Sequence, residues 1–329
     1  MRAAVITRAG GPDVLEIQDR PTPVPGPQEV LVRVRATALN RADLLQREGR
    51  YPVPAGAPAD IPGLEFAGEV DALGSGASAW KRGERVFGIT AGGAHAQYVV
   101  AHEGTLAPVP DSLSWEQAGA VPEVFITAHD ALVTQAGLRA GERVLVHAVG
   151  SGVGLAAIQL ARAYNAIPYG TARTADKIER AAEYGLEHGI VVGEDVEVIP
   201  AAVAEWTSGK GIDVTLDLVG GAYLDASVRA SAPRGRVMLI GTIAGRSAPL
   251  SLGVMLHKRI TLRGTVLRAR SVDEKILVTR AFAADVVPLL ARSSVRPTID
   301  SVFELDRIGD AHARLASNAT FGKVVITVP

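Results

Sequence analysis

Residues 143–166, RVLVHAVGSGVGLAAIQLARAYNA, are the stretch whose types and spacing suit chemistry most directly. The apolar run 143–148 predicts a buried strand, 149–154 a turn of small residues, and 155–163 a helix. In that order they leave backbone N–H groups and the positive end of a helix dipole facing one point, which favours a diphosphate. In G-x-G-x-x-G register Val149 and Ser151 take the first two glycine positions and Gly154 the third. The fingerprint is partial, and a glycine-rich turn in another α/β protein would use the same residues. Ser151, Gly152, Val153 and Gly154 are the candidate diphosphate contacts. Ser151 can offer its hydroxyl, or serve only as a small residue in a tight turn.

The end of the next strand bears on cofactor choice. Sites for NAD place an Asp or Glu there for the ribose hydroxyls, whereas this chain has Tyr169-Gly170-Thr171-Ala172-Arg173-Thr174 and then Lys177. Arg173 and Lys177 can make charge-assisted bonds to a 2′-phosphate, and Thr171 stands at the strand end beside them; a solvated helix start is the plainer use of the two cations. This points to NADP(H). His147, just before the turn, reads as a structural residue at the strand end. A second polar cluster, Asn40, Arg41 and Asp43, lies where a strand gives way to a helix. Capping by Asn40 with Asp43 in the first turn accounts for it, and Tyr51 beyond is a lone aromatic between prolines that also suits packing.

The elements that must hold these residues fall into three parts. Strands are predicted over 2–7, 15–18, 29–38, 61–73, 85–88 and 94–100; the alternation in EVLVRVRATA at 29–38 marks a half-exposed antiparallel strand. Helices follow in the first half of 39–54 and over 115–121 and 125–135. From residue 143 strand and helix alternate, with strands over 143–148, 167–171, 189–192, 212–218, 236–240 and 260–266. Six strands and five crossovers predict a doubly wound parallel sheet. Gly241, Thr242 and Ile243 follow the fifth strand, and Leu267 and Arg268 the sixth, at carboxyl ends where such sheets bind ligands. A helix over 272–290, a strand over 302–305, a helix over 308–316 and a strand over 323–328 suggest a return to the first domain.

Composition sets limits. The chain has 329 residues, enough for two domains with a core each, and a net charge of −1 that gives no support to a polyanionic partner. It has no cysteine, which removes disulfides, thiolate nucleophiles and cysteine zinc sites. The N-terminus MRAAVITRAGG lacks an apolar leader core, and no run approaches the roughly twenty apolar residues of a membrane span, so cytoplasm is the expected location.

Together, LNRADLLQREGRYPVP, PGLEFAGEV, RVLVHAVGSGVGLAAIQLAR, LDLVGG and FGKVVI resemble the quinone oxidoreductase branch of the medium-chain dehydrogenase/reductase superfamily, over essentially the whole chain. The resemblance implies an α/β protein with a GroES-like, mostly β catalytic domain at 1–122 and 269–329, a Rossmann NADP-binding domain at 123–268, a nicotinamide in the cleft and a homodimer. Zinc-dependent relatives carry a histidine where Leu64 stands, so metal-free hydride transfer is implied. Tyr51 would orient or protonate a quinone oxygen, Asn40 and Asp43 would line the nicotinamide side, and Thr127, Gly322 and Lys323 would add contacts near the cofactor. Relatives often have a tyrosine on the adenosine phosphate where this chain has Val192, and a glycine where it has Arg173. The implied activity is an NADPH:quinone reductase. A reductase of enones or enoyl compounds would use the same parts, and a non-enzymatic cofactor-binding or nucleic-acid-binding protein is a third class, opposed by the neutral charge and by Asn40, Tyr51 and Lys177.

Overall fold

A computed structural model describes residues 1–329, which separate into two compact units, 1–126 with 267–329, and 127–266. The first unit opens with β1 (Arg2–Ile6) and β2 (Leu15–Asp19), an antiparallel pair. Then come β3 (Glu29–Ala38), α1 (Arg41–Arg47), β4 (Glu65–Leu73), β5 (Arg85–Ile89), β6 (Tyr98–His102), β7 (Leu106–Pro108) and α2 (Trp115–Gly119), and α3 (Pro122–His129) begins in this unit, with its residues from Thr127 on counted in the second. The second unit contains β8 (Arg143–Val146), α4 (Gly152–Ala163), β9 (Ile167–Ala172), α5 (Ala175–Ala182), β10 (His188–Val191) and α6 (Val198–Trp206). It continues through β11 (Ile212–Asp217), α7 (Ala222–Ala230), β12 (Ser231–Leu239), α8 (Leu252–Lys258) and β13 (Thr261–Gly264). The chain then returns to the first unit with α9 (Val272–Asp285), α10 (Val287–Ala291), β14 (Ile299–Glu304), α11 (Ile308–Ala316) and β15 (Lys323–Thr327).

In the first unit the sheet runs β14-β15-β3-β4-β5-β7, with β6 also paired to β3. Strand β3 is central and antiparallel to β4, β6 and β15, and its alternation holds: Val30, Val32, Val34, Ala36 and Ala38 are buried on one face, while on the other Arg33 is exposed, Glu29 and Arg35 are half-buried, and only Leu31 and Thr37 are buried. Val30, Val32 and Val34 pack with Phe66, Leu106, Val324 and Ile326, so residues from both ends of the sequence share one core.

The second unit is a six-stranded parallel sheet in the order β10-β9-β8-β11-β12-β13. Direction of winding reverses between β8 and β11, which puts the ligand crevice of such a sheet at the carboxyl ends of those strands. Strand β13 is shorter than the 260–266 expected, and β12 is longer than 236–240. Leu267 and Arg268 lie in the first unit, not at the end of this sheet. The strand read at 94–100 is β6, displaced toward the C-terminus, and the helix read over 272–290 is two helices that part at Val286, just before Pro288, which has no N–H to carry one helix into the next.

Candidate active site

In the second unit the chain turns between Val146 and Gly152, and the helix begins earlier than the composition indicates, so Gly152, Val153 and Gly154 are its first residues. Ser151 caps it, its hydroxyl accepting the Gly154 N–H at 3.0 Å. The Gly152 and Val153 N–H groups have no intrahelical acceptor and point out of the helix start. The left-handed residue of the turn is Ala148, with φ +54°, so the strain sits one residue before the first glycine position of the motif. A Cβ at Gly154 would stand 2.5 Å from the Ala148 oxygen, and one at Gly150 would stand 2.9 Å from Cδ of Lys177. Small residues are therefore required at the turn, and the Lys177 stem packs beside it.

Thr171 is buried, with its hydroxyl 3.0 Å from His147 Nδ1 and its carbonyl accepting the Val149 N–H. Its polar atoms hold His147 and the turn at Val149. The other ring nitrogen of His147 is 2.8 Å from the Ser227 hydroxyl, and burial holds the imidazole below its ordinary pKa, against the pull of Asp217. His147 ties β8, β9 and α7 together. Arg173 acts electrostatically on Tyr223, whose hydroxyl is pushed up by burial. Thr242 and the exposed Ile243 follow Gly241, whose N–H, like that of Ile240, donates to the Asp217 carbonyl. The Asp217 carboxylate accepts the Val219 and Gly220 N–H groups at 2.8 Å each. It shapes the loops after β11 and β12, a role no motif reveals. Thr127 is half-buried on α3, and Val192 is in the core with Leu145 and Tyr169.

In the first unit the residues around α1 form a buried polar network. Asp43 accepts the Asn40 N–H at 2.7 Å and the Gly63 N–H at 3.0 Å. The Asn40 amide donates to Glu65 Oε1 at 2.9 Å, and its oxygen accepts from Lys323 Nζ at 2.7 Å. Lys323 also donates to the Leu39 carbonyl and pairs with Glu65, each at 2.7 Å. All three of its N–H bonds are thus engaged, which makes it a residue that positions Asn40 and Glu65. The second Glu65 oxygen accepts the Glu123 N–H at 2.8 Å. Gly322 is left-handed, with φ +94°, and a side chain there would collide with the Thr298 carbonyl, so its role is the turn into β15.

Tyr51 is half-buried, and the Arg268 guanidinium lies 5.1 Å from its ring centroid. Arg268 donates to the Ala91 carbonyl at 2.9 Å and to Gln46 at 2.6 Å, while its buried Nη1 has no partner. Leu267 is buried beside it in sequence. Burial raises the Tyr51 pKa above its ordinary value; Arg268 opposes this, and Glu123 and Asp43 add to it. Burial and the neighbouring Glu65 push the Glu123 carboxyl up to about 8. Glu65, Glu123 and Lys275 were not singled out in the sequence. Glu65 shares its parity in the strand with Glu69 and Asp71, which are less buried, so alternation gives no signal for it, and an acid after Pro122 at a helix start looks like ordinary dipole pairing.

No three His, Asp or Glu side chains are placed to hold a metal ion, and Leu64 is buried. No helix is long and apolar enough to cross a membrane.

Residues 26–111 match the alcohol dehydrogenase GroES-like domain and residues 152–282 the zinc-binding dehydrogenase domain. The chain is 36% identical to a quinone oxidoreductase of Pseudomonas aeruginosa across 96% of each protein. Among solved structures it is similar to a mycobacterial protein in complex with NADPH, at 30% identity and TM-score 0.87 over 99% of each chain. It is also similar to an enoyl reductase in its apo form, at 25% identity and TM-score 0.88, covering 100% of this chain and 99% of that one. The motifs, the two-unit fold and this kinship over nearly the whole length agree: the chain belongs to the quinone oxidoreductase branch of the medium-chain dehydrogenase/reductase superfamily.

Proposed function

We propose that this protein is an NADPH-dependent quinone oxidoreductase working without a metal. The near full-length kinship with quinone oxidoreductases carries this reading. The dinucleotide turn supports it, since Ser151 and the free N–H groups of Gly152 and Val153 offer an anion site, and Arg173 and Lys177 follow where a carboxylate would favour NAD. The chain's lack of sulfur ligands, with Leu64 at the histidine position, supports metal-free chemistry.

Bound NADPH supplies a hydride. The protein's share is positioning and electrostatics. Asn40 and Asp43, fixed by Lys323, Glu65 and Gly63, line the nicotinamide side, and Tyr51 orients the quinone oxygen with Arg268 over its ring. Thr127, Gly241, Thr242, Ile243 and Leu267 are further cofactor contacts in this reading. Oxidation of NADPH and NADH with an ortho-quinone tests it. NADPH is expected to turn over at least about tenfold faster, and Tyr51→Phe to lower kcat by roughly 10–100-fold. Binding of NADPH with no quinone reduction would overturn it.

The similarity to an enoyl reductase favours a second reading, reduction of an activated alkene on the same site. Turnover on an enoyl thioester exceeding that on quinones would select it. A homodimer through the β13 edge fits the exposed Leu252 and Leu256 of α8 and the exposed Val266. Sedimentation as a monomer at micromolar concentration would count against the dimer.

A further inference from the structure

We propose that Glu123 is the proton donor of the reaction, and that Tyr51 only directs the acceptor oxygen; this rests on the quinone reductase reading above. The argument begins with the two carboxyl groups at the start of α3. Glu65 is fully committed: one oxygen takes Lys323 and Asn40, the other the Glu123 backbone N–H. Its negative charge is fixed in place by three partners. Glu123 adjoins it through that backbone N–H, is partly exposed, and has no hydrogen bond to its carboxyl.

The groups that act on Glu123 come from every surrounding element. Glu65 on β4 and Asp43 on α1 oppose its ionisation, and Lys323 on β15 and Lys275 on α9 favour it. Tyr51 and Arg268 feel its charge in turn. Burial and Glu65 prevail, which leaves Glu123 carrying its proton at neutral pH with a pKa of about 8. Two carboxyl groups sharing a site are pushed apart in this way, one staying ionised and the other protonated. Tyr51 is the poorer acid, because burial and the nearby anions hold its proton more tightly than in an ordinary tyrosine. General acid catalysis works best when the donor's pKa is near the working pH.

The balance closes on these residues. The quinone gains two electrons and one hydrogen with the hydride; the Glu123 O–H bond breaks and an O–H bond forms on the quinone oxygen. Hydroquinone and a Glu123 carboxylate result. Solvent water returns the proton to the carboxylate through its exposed side.

Two measurements decide the matter. The first is the single-turnover rate with NADPH and 1,4-benzoquinone from about pH 6 to pH 10 for the wild type, Glu123→Gln and Glu123→Asp. The wild-type rate is expected to fall above about pH 8. Glu123→Gln is expected to be at least about tenfold slower at neutral pH and to lack that limb, with Glu123→Asp partly restoring both. A Glu123→Gln rate and pH profile equal to the wild type would overturn the assignment while leaving quinone reduction intact. A wild type that reduces no quinone would instead remove the parent reading. The second is infrared difference titration of the ligand-free wild type, which needs no variant to fold. A carboxylic C=O band lost with a midpoint near pH 8 is expected, and its absence would overturn the proposal.

Discussion

At the scale of single residues, the first unit concentrates charge where the fold hides it. The Lys323 to Glu65 pair is among the most buried in the chain, with 4% and 0% of the side chains exposed. Replacing Lys323 by Met leaves the Glu65 charge without its cation, and a loss of about 3–5 kcal/mol in urea unfolding is expected. Glu123 gives a pH-dependent counterpart. Its folded pKa is raised, from 4.5 to about 8, first by burial and then by Glu65. The unfolded chain releases that proton above about pH 4.5 while the folded protein keeps it, so stability falls as pH rises through this window and levels off above about pH 8. Glu123→Gln, which mimics the protonated form, is expected to match the wild-type Tm near pH 4 and to exceed it increasingly toward pH 8. Melting curves across that range check the sign. A Tm difference that stays constant with pH would show that Glu123 is ionised in the folded state.

At the scale of elements, the β8 turn and α4 form one device. The Ser151 hydroxyl satisfies the Gly154 N–H, and the absence of a side chain at Gly154 lets the helix start against the Ala148 carbonyl. Ser151→Ala is expected to cost about 1 kcal/mol in thermal or urea unfolding through loss of the cap. Gly154→Ala forces a Cβ against backbone, at 2.5 Å from Ala148 O and 2.8 Å from the Val149 Cα. The turn must move, and NADPH affinity measured by fluorescence titration is expected to fall at least about tenfold. Unchanged affinity would show that the diphosphate does not depend on this turn.

At the scale of the whole molecule, the two units differ in how the sequence supplies them. The second is continuous, and all six strands of its sheet lie within residues 127–266. The first is assembled from both ends of the chain, since β14 and β15 complete its sheet against β3. A fragment of residues 127–266 is therefore expected to unfold cooperatively on its own. A fragment ending at residue 266 is expected to lose the first unit, because β3 forfeits its partner strand and Glu65 its cation. Circular dichroism melts of the two fragments distinguish these outcomes, and a folded first unit without residues 267–329 would refute the argument.

The doubly wound sheet was legible in the sequence because local signals suffice for it. Alternating apolar runs and helical segments over 143–266 fix a parallel sheet, and a strand, small-residue turn and helix mark the tight turn that Ser151 caps at the start of α4. The return of the chain end to the first domain was also legible, as a helix and strand left over after the sheet is complete. What the sequence could not show is which polar side chains meet. Asn40, Glu65, Glu123 and Lys323 are far apart along the chain, and only strand pairing brings them together. The displaced Leu267 and Arg268 and the buried Thr171 have the same origin. A residue's neighbours through space set its burial and its charge state, and those neighbours come from the tertiary structure.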